Sequence, residues 1–184
     1  MSTRSTIAFV AKDGKVKSSY CHWDGYVSNN GAILLVNYED PQKIIDLLSF
    51  GDISTLKKSV FPNGNTHSYK TPEEGVTVFY GRDRGEEIRE KKFASFEKYS
   101  ELCDFQEYNY VFFEKKNKWY LYDPYKKKLT TLASEVKAVK SDLSGSVLSD
   151  YKHYLKEKLA KKNYEKMKKE LSQNSSVVSV KPKI

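Results

Sequence analysis

The chain has 184 residues and a formal charge of +8, from 32 Lys+Arg against 24 Asp+Glu, with 39% apolar and 14% aromatic residues. At this length one domain with a packed core is expected; the aromatic content argues against a disordered chain, and the charge excludes an acidic DNA mimic while permitting an anionic partner. No apolar run approaches the roughly 20 residues needed to cross a bilayer, and the opening MSTRSTIAFVAKDG lacks the apolar stretch of a signal peptide, so a soluble cytoplasmic protein with no membrane partner is expected.

In chain order, Thr3 to Val10 is β-branched and aromatic, Asp13-Gly14 is a turn signal, and Val16 to His22 returns, which predicts an antiparallel hairpin. WDGYVSNNG is rich in turn formers. The apolar run AILLVNY that follows suits a buried helix or a strand, and Asn29 or Asn30 as an N-cap favours helix. Pro41, the apolar positions Ile44, Ile45, Leu47 and Leu48, and Gly51 as a stop predict a helix over 41–50; Asp52 could cap a further turn through Leu56. FPNGNTHSYKTPEEG (61–75) reads as a loop, and VTVFY (76–80) as a strand. Ser95 caps a helix to Cys103. YNYVFFE and KWYLYD read as a second hairpin, and Leu129 to Lys140 as a strand followed by a helix start.

The last quarter differs in charge. Residues 140–184 hold 11 Lys against 5 Asp+Glu, a net +6, and residues 1–139 only +2. Leu148, Tyr151, Leu155, Leu159, Tyr164, Met167 and Leu171 predict a long helix with these side chains as a stripe on one face, capped by Ser149 or Asp150 and stopped by SQNSS at 172–176 before the tail. The expected organisation is an α+β body over 1–140, mostly antiparallel with flanking helices, and a lysine-rich helix and tail over 141–184 within one compact domain.

Two clusters could carry chemistry. Tyr20-Cys21-His22-Trp23-Asp24-Gly25-Tyr26 lies where a strand feeds a loop. Continued extension would point His22 and Asp24 the same way, as an acid-base pair, while Trp23 and Tyr26 stack on a planar ligand. The same residues also make a structural corner, with Gly25 supplying a positive φ. In Gly81-Arg82-Asp83-Arg84-Gly85-Glu86-Glu87, two arginines oriented by Asp83 could fork onto a phosphate or carboxylate, although mixed-charge surface turns are common. His67 is a loop histidine that could join His22 but is more simply incidental. No Walker A loop or GxGxxG is present, no ligand spacing indicates a metal, and no cofactor is expected. Cys21 and Cys103 lack paired spacing and read as reduced thiols; Cys21 and His22, adjacent on a strand, face opposite ways and cannot form a nucleophile-base pair. Lys156, Lys161, Lys162, Lys168 and Lys169 could meet nucleic-acid phosphates, or simply be a solvated face.

TRSTIAF (3–9), YCHWDGY (20–26), NNG (29–31), GDIS (51–54) and VFYGRDRGEE (78–87) together resemble a family of small cytoplasmic proteins of bacteriophages and bacteria, mostly of unknown function. The similarity covers roughly the first 125 residues and leaves out the lysine-rich helix. The resemblance implies a phage accessory protein used in host takeover or against host defence, and it supplies no catalytic assignment. Three readings follow. The first is a binding protein engaging a nucleotide, a nucleic acid or a host protein through the 22–26 and 81–85 loops. The second is a hydrolase of a phosphate-containing substrate using His22 and Asp24, and the third a nonspecific nucleic-acid binder through the C-terminal helix.

Overall fold

The computed structural model describes residues 2–64 and 66–175. The chain divides into two units, Met1–Leu143 and Ser144–Ile184.

The body is α+β around an eight-stranded mixed sheet. Strands β1 (Ser5–Val10) and β2 (Val16–Cys21) form the expected hairpin, with Gly14 at positive φ in its turn. The wide helical turn Val27–Gly31 leads into α1 (Ala32–Asn37), then α2 (Pro41–Ser49), whose N-cap Asp40 accepts from the Gln42 amide. Strands β3 (Ile53–Thr55) and β4 (Val78–Phe79) flank the long loop, and α3 (Tyr80–Arg84) and β5 (Lys91–Phe93) follow. Helix α4 (Phe96–Leu102) is capped by Ser95, as its sequence requires. β6 (Tyr108–Phe113), β7 (Lys118–Asp123) and β8 (Lys128–Thr131) then lead to α5 (Leu132–Ala138).

Sheet order is β4-β3-β2-β1-β6-β7-β8, with β5 on the outer edge of β2. Most pairs are antiparallel; β1 with β6 and β2 with β3 are parallel. β1 is central and every one of its residues is buried. Alternation sends Ala8, Val10, Val16, Val111 and Tyr122 to one face, where Tyr99 of α4 covers them amid Phe93, Phe96 and Phe105. Tyr99 reaches Thr6, which also donates to the buried Asn109. The other face carries Ile7, Phe9, Tyr110, Phe112 and Trp119 under the helices; Phe9 stacks on Phe112, and Trp119 Nε1 donates to the Tyr38 carbonyl at 2.7 Å. The core is aromatic, as composition suggests, and α1 and α2 add Ile33, Leu34, Ile44 and Leu47 to it.

Several local expectations are corrected. Neither Asn29 nor Asn30 caps α1; both sit in the preceding turn, and Asn30 is wholly buried. Its Nδ2 donates to Ser5 Oγ and the Trp23 carbonyl and approaches Cys21 Sγ, so it ties the hairpin to the loop. Asp52 starts no helical turn. Its side chain takes the Tyr20 amide and its carbonyl the Tyr80 amide, which puts 53–55 in the sheet. Gly25 is not the left-handed residue of its corner. Asp24 is, at φ 56°, while Gly25 is required because a Cβ there would lie 2.6 Å from the Arg4 carbonyl carbon.

In the second unit, α6 spans Gly145–Ser175. It starts before Ser149 and Asp150 and continues through residues 172–175 of the segment expected to stop it; Ser176 and the tail lie outside the described residues. Leu155, Leu159, Tyr164, Met167 and Leu171 are all exposed. They do not form a single stripe. At about 100° per residue, the five-residue step from Leu159 to Tyr164 turns the surface by roughly 140°, so Leu148 to Leu159 and Tyr164 to Leu171 occupy different faces.

Candidate functional site

The outer edge of β2 is shared: β5 pairs with Val16 to Ser18, and β3 pairs at Cys21. Between them the Tyr20 amide has no strand to bond, and Asp52 Oδ1 takes it at 3.0 Å. The gap opens a cleft of about 420 Å³ lined by Tyr20, Asp52, Tyr80, Glu86, Glu87 and Arg89.

Its aromatic wall continues outward. Beyond β2, the His22 and Trp23 amides still donate to Ile53 and Ser54 carbonyls, which holds both side chains at the sheet edge. Tyr20 Oη and His22 Nδ1 are hydrogen-bonded at 2.7 Å. The His22 ring packs edge-on against Trp23, with centroids 4.7 Å apart, and against Tyr80 at 6.5 Å. Trp23 is 44% exposed. The Arg84 guanidinium lies over both the Tyr69 and Tyr80 rings, at 5.0 and 5.6 Å, and its Nε is 3.2 Å from Glu86. Burial pushes the Tyr20 phenol up, and burial likewise pushes Tyr80 up against the lowering effect of its bond to Ser54, so both keep their protons at neutral pH.

His22 and Asp24 are not brought together. The left-handed turn at Asp24 ends the strand alternation, His22 bonds Tyr20, and Asp24 Oδ1 accepts from Tyr26 Oη at 3.3 Å. The acid-base pair therefore has no shared geometry.

Arg82 and Asp83 belong to a different arrangement. All the nitrogens of the Arg82 fork are committed: Nε and Nη2 to the two Asp83 oxygens at 2.6 and 2.9 Å, Nη1 to the Val60 carbonyl, and Nη2 also to the Thr77 carbonyl. Its plane lies over Phe79 and Phe50. Asp83 Oδ2 also accepts the Phe79 amide at 2.7 Å and faces the buried His67. Burial is the largest single influence on the Asp83 carboxyl and raises it; the Arg82 bonds and the Phe79 amide together outweigh that and hold it below the ordinary value. This is an architectural lock between the 61–75 loop, β4 and α3, with its donors already used. His67 joins this lock and not His22.

Sequence reasoning therefore reached Trp23, His22 and Arg84, with Glu86 and Glu87 in the same cluster as Arg84, but not Asp52, Tyr80, Tyr69 or Arg89 as their neighbours. The signal was present, since Asp52 stands in GDIS and Tyr80 in VFYGRDRGEE. The lysines Lys156, Lys161, Lys162, Lys168 and Lys169 are exposed on α6 but spread around it; Lys161 with Lys168 and Lys162 with Lys169 form two rows, and Lys156 lies apart. Among the described residues no group of three or more His, Cys, Asp or Glu could hold a metal ion, and no helix is long and apolar enough to cross a membrane.

Comparison of the chain with protein-family models, with curated proteins and with solved structures found no match. The arrangement itself offers a partly enclosed cleft, a stacking surface of one Trp, one His and several Tyr, and an arginine held between rings. Such a surface can bind a partner.

Proposed function

We propose that this protein acts by occupancy and not by turnover, binding a partner protein through the face built from Tyr20, His22, Trp23, Tyr80 and Arg84, in the manner of a phage accessory protein engaging a host component. The supporting observation is that residues distant in the chain but carried by the YCHWDGY, GDIS and GRDRGEE segments meet at this one cleft. Their composition supports it further, because Trp, Tyr and Arg are the residues in which interface energy concentrates. A protein is favoured over a nucleotide because Asp52, Glu86 and Glu87 oppose a phosphate there, and because the Arg82 fork is spent inside the fold.

The test uses tagged wild-type protein and a Trp23→Ala, Tyr80→Ala variant to capture partners from host extract, followed by calorimetric titration of each purified candidate and of nucleoside mono- and triphosphates. A protein retained by the wild type, lost from the variant and titrating with the wild type supports the reading. A nucleotide that binds and is lost from the variant, or a partner retained equally by both, overturns it.

A further inference from the structure

The distal half of α6 carries a pattern that the cleft does not explain. Ala160, Tyr164, Met167 and Leu171 recur at spacings of 4, 3 and 4, which places them on one side of the helix, and all are exposed, Tyr164 at 60% and Leu171 at 63%. Lys161 and Lys168 run along one flank of this stripe and Lys156 along the other. Lys162, Lys166 and Lys169 lie on the opposite face with Glu165. Of the two remaining acids, Glu157 lies between Tyr164 and the Lys161 flank, 3.4 Å from His153, and Glu170 lies beyond the Lys156 flank, 3.8 Å from Lys166, so the three flanking lysines outnumber the one acid among them.

The flanking lysines decide what can cover the stripe. A second copy packed along it in parallel would set Lys156 against Lys161, and an antiparallel copy would set the Lys161 and Lys168 rows against each other; like charges at these positions disfavour both. A polynucleotide would satisfy the lysines but leave Tyr164, Met167 and Leu171 in water, and arginine, the residue best suited to phosphate and base recognition, is absent from α6. An anionic bilayer surface satisfies both features at once: a strongly basic, weakly hydrophobic amphipathic helix lies in the interface plane with its apolar side in the headgroup layer.

We propose that residues 156–171 of α6 lie along an anionic lipid surface, with Ala160, Tyr164, Met167 and Leu171 turned into the headgroup layer and Lys156, Lys161 and Lys168 against lipid phosphates. Such binding is peripheral, and it is compatible with the lack of a membrane-crossing helix among the described residues. Each lysine adds to attraction by the anionic leaflet, and the apolar side chains add a salt-insensitive part.

The experiment is co-sedimentation of the full chain with large unilamellar vesicles, either 30% phosphatidylglycerol in phosphatidylcholine or phosphatidylcholine alone, with a short DNA duplex titrated in parallel at the same salt. Two variants on exposed positions accompany it: Tyr164→Ser, Met167→Ser, Leu171→Ser, and Lys156→Ala, Lys161→Ala, Lys168→Ala. Circular dichroism confirms that α6 persists in each. The expected result is partition onto anionic vesicles only, weakened roughly tenfold or more by either variant. Equal partition onto neutral vesicles, no partition onto anionic ones, or duplex binding that survives the serine variant while vesicle binding is absent would each overturn the proposal.

Discussion

His67 Nε2 lies 3.3 Å from Asp83 Oδ2, and both side chains are almost wholly buried, at 2% and 3% exposure. His67 Nδ1 accepts the Glu73 amide at 3.0 Å, and His67 Nε2 also lies 2.9 Å from Arg82 Nη2. One imidazole thus closes the 61–75 loop on itself and fastens it to α3. A loop whose composition reads as irregular is held by three charged or polar side chains at its back.

Asp83 is the member on which the others depend. Asp83→Asn keeps the shape but leaves the Arg82 guanidinium, mostly buried against Phe50 and Phe79, without its counter-charge. Breaking one side of such a pair costs about 3–5 kcal/mol. Urea unfolding should show a loss of that order; a loss below about 1 kcal/mol would mean that the pair is solvated and not structural. Because the Asp83 carboxyl is held below its ordinary value, its contribution is complete above the unfolded value of about 3.9 and disappears as pH falls through the folded value. The variant should therefore lose the part of the acid-denaturation slope that the wild type shows below pH 4.

Gly25 should be intolerant of any side chain. Its amide donates to the Thr3 carbonyl at 2.8 Å and its carbonyl accepts from Tyr110 Oη at 2.7 Å, so the loop lies directly on the start of β1. An added Cβ would come within 2.7 Å of the Arg4 oxygen and 2.9 Å of the Ser5 nitrogen. Overpacking against backbone, which cannot rotate away, should cost at least the ~1–3 kcal/mol typical of core overpacking. Gly14→Ala is the control: its Cβ would meet nothing within 4 Å, and only its positive φ is strained, at about 1 kcal/mol. Thermal melts of the two variants should rank in that order; equal melting temperatures would show that the corner relaxes freely.

Much of the fold was legible because its signals are local. Asp13-Gly14, Ser95, and Pro41 with its apolar face each fix an element through the nearest few residues. The two parallel pairings were not legible, since nothing within β1 or β6 specifies that strands a hundred residues apart lie side by side. β5 escaped notice because KKF carries no alternation to mark it. In the site, YCHWDGY stood out by composition, but Asp24 at φ 56° breaks the alternation on which the His22–Asp24 pairing rested. Arg82 and Arg84 are indistinguishable in GRDRG. Only tertiary context buries one and exposes the other. On α6 the helix was clear, and the apparent single stripe failed on the angle of one five-residue step.

The two thiols should differ sharply in reactivity. Cys21 is fully buried, and burial pushes its thiol up to about 12 despite the Asn30 amide nearby. Cys103 is only partly buried; burial raises it as well, against lowering contacts from Tyr99 and Ser18. Because the thiolate is the reactive species, a maleimide or iodoacetamide reagent near neutral pH should modify Cys103 slowly and Cys21 only on unfolding. Mass spectrometry of the native protein at partial labelling checks this. Comparable modification of both sites in the folded state would show that the Asn30 corner opens readily.

The arginines of GRDRG should separate stability from binding. Arg84 is about half exposed and paired with an equally exposed Glu86, an interaction worth about 0–1 kcal/mol, and its stacking on Tyr69 and Tyr80 adds a similar amount. Arg84→Ala should therefore leave the denaturant midpoint nearly unchanged while weakening partner binding, since Trp, Tyr and Arg anchors at an interface centre typically cost ~2 kcal/mol or more on truncation. Arg82→Ala should do the reverse at its root. It leaves Asp83 buried without its guanidinium and frees the Val60 and Thr77 carbonyls, so unfolding shifts by several kcal/mol and any loss of binding follows from it. Denaturation and titration of both variants against the captured partner give four numbers. A stable Arg82→Ala protein, or an Arg84→Ala protein that binds at full strength, would reverse the roles assigned to these residues, because the same fork cannot be spent inside the fold and offered to a ligand.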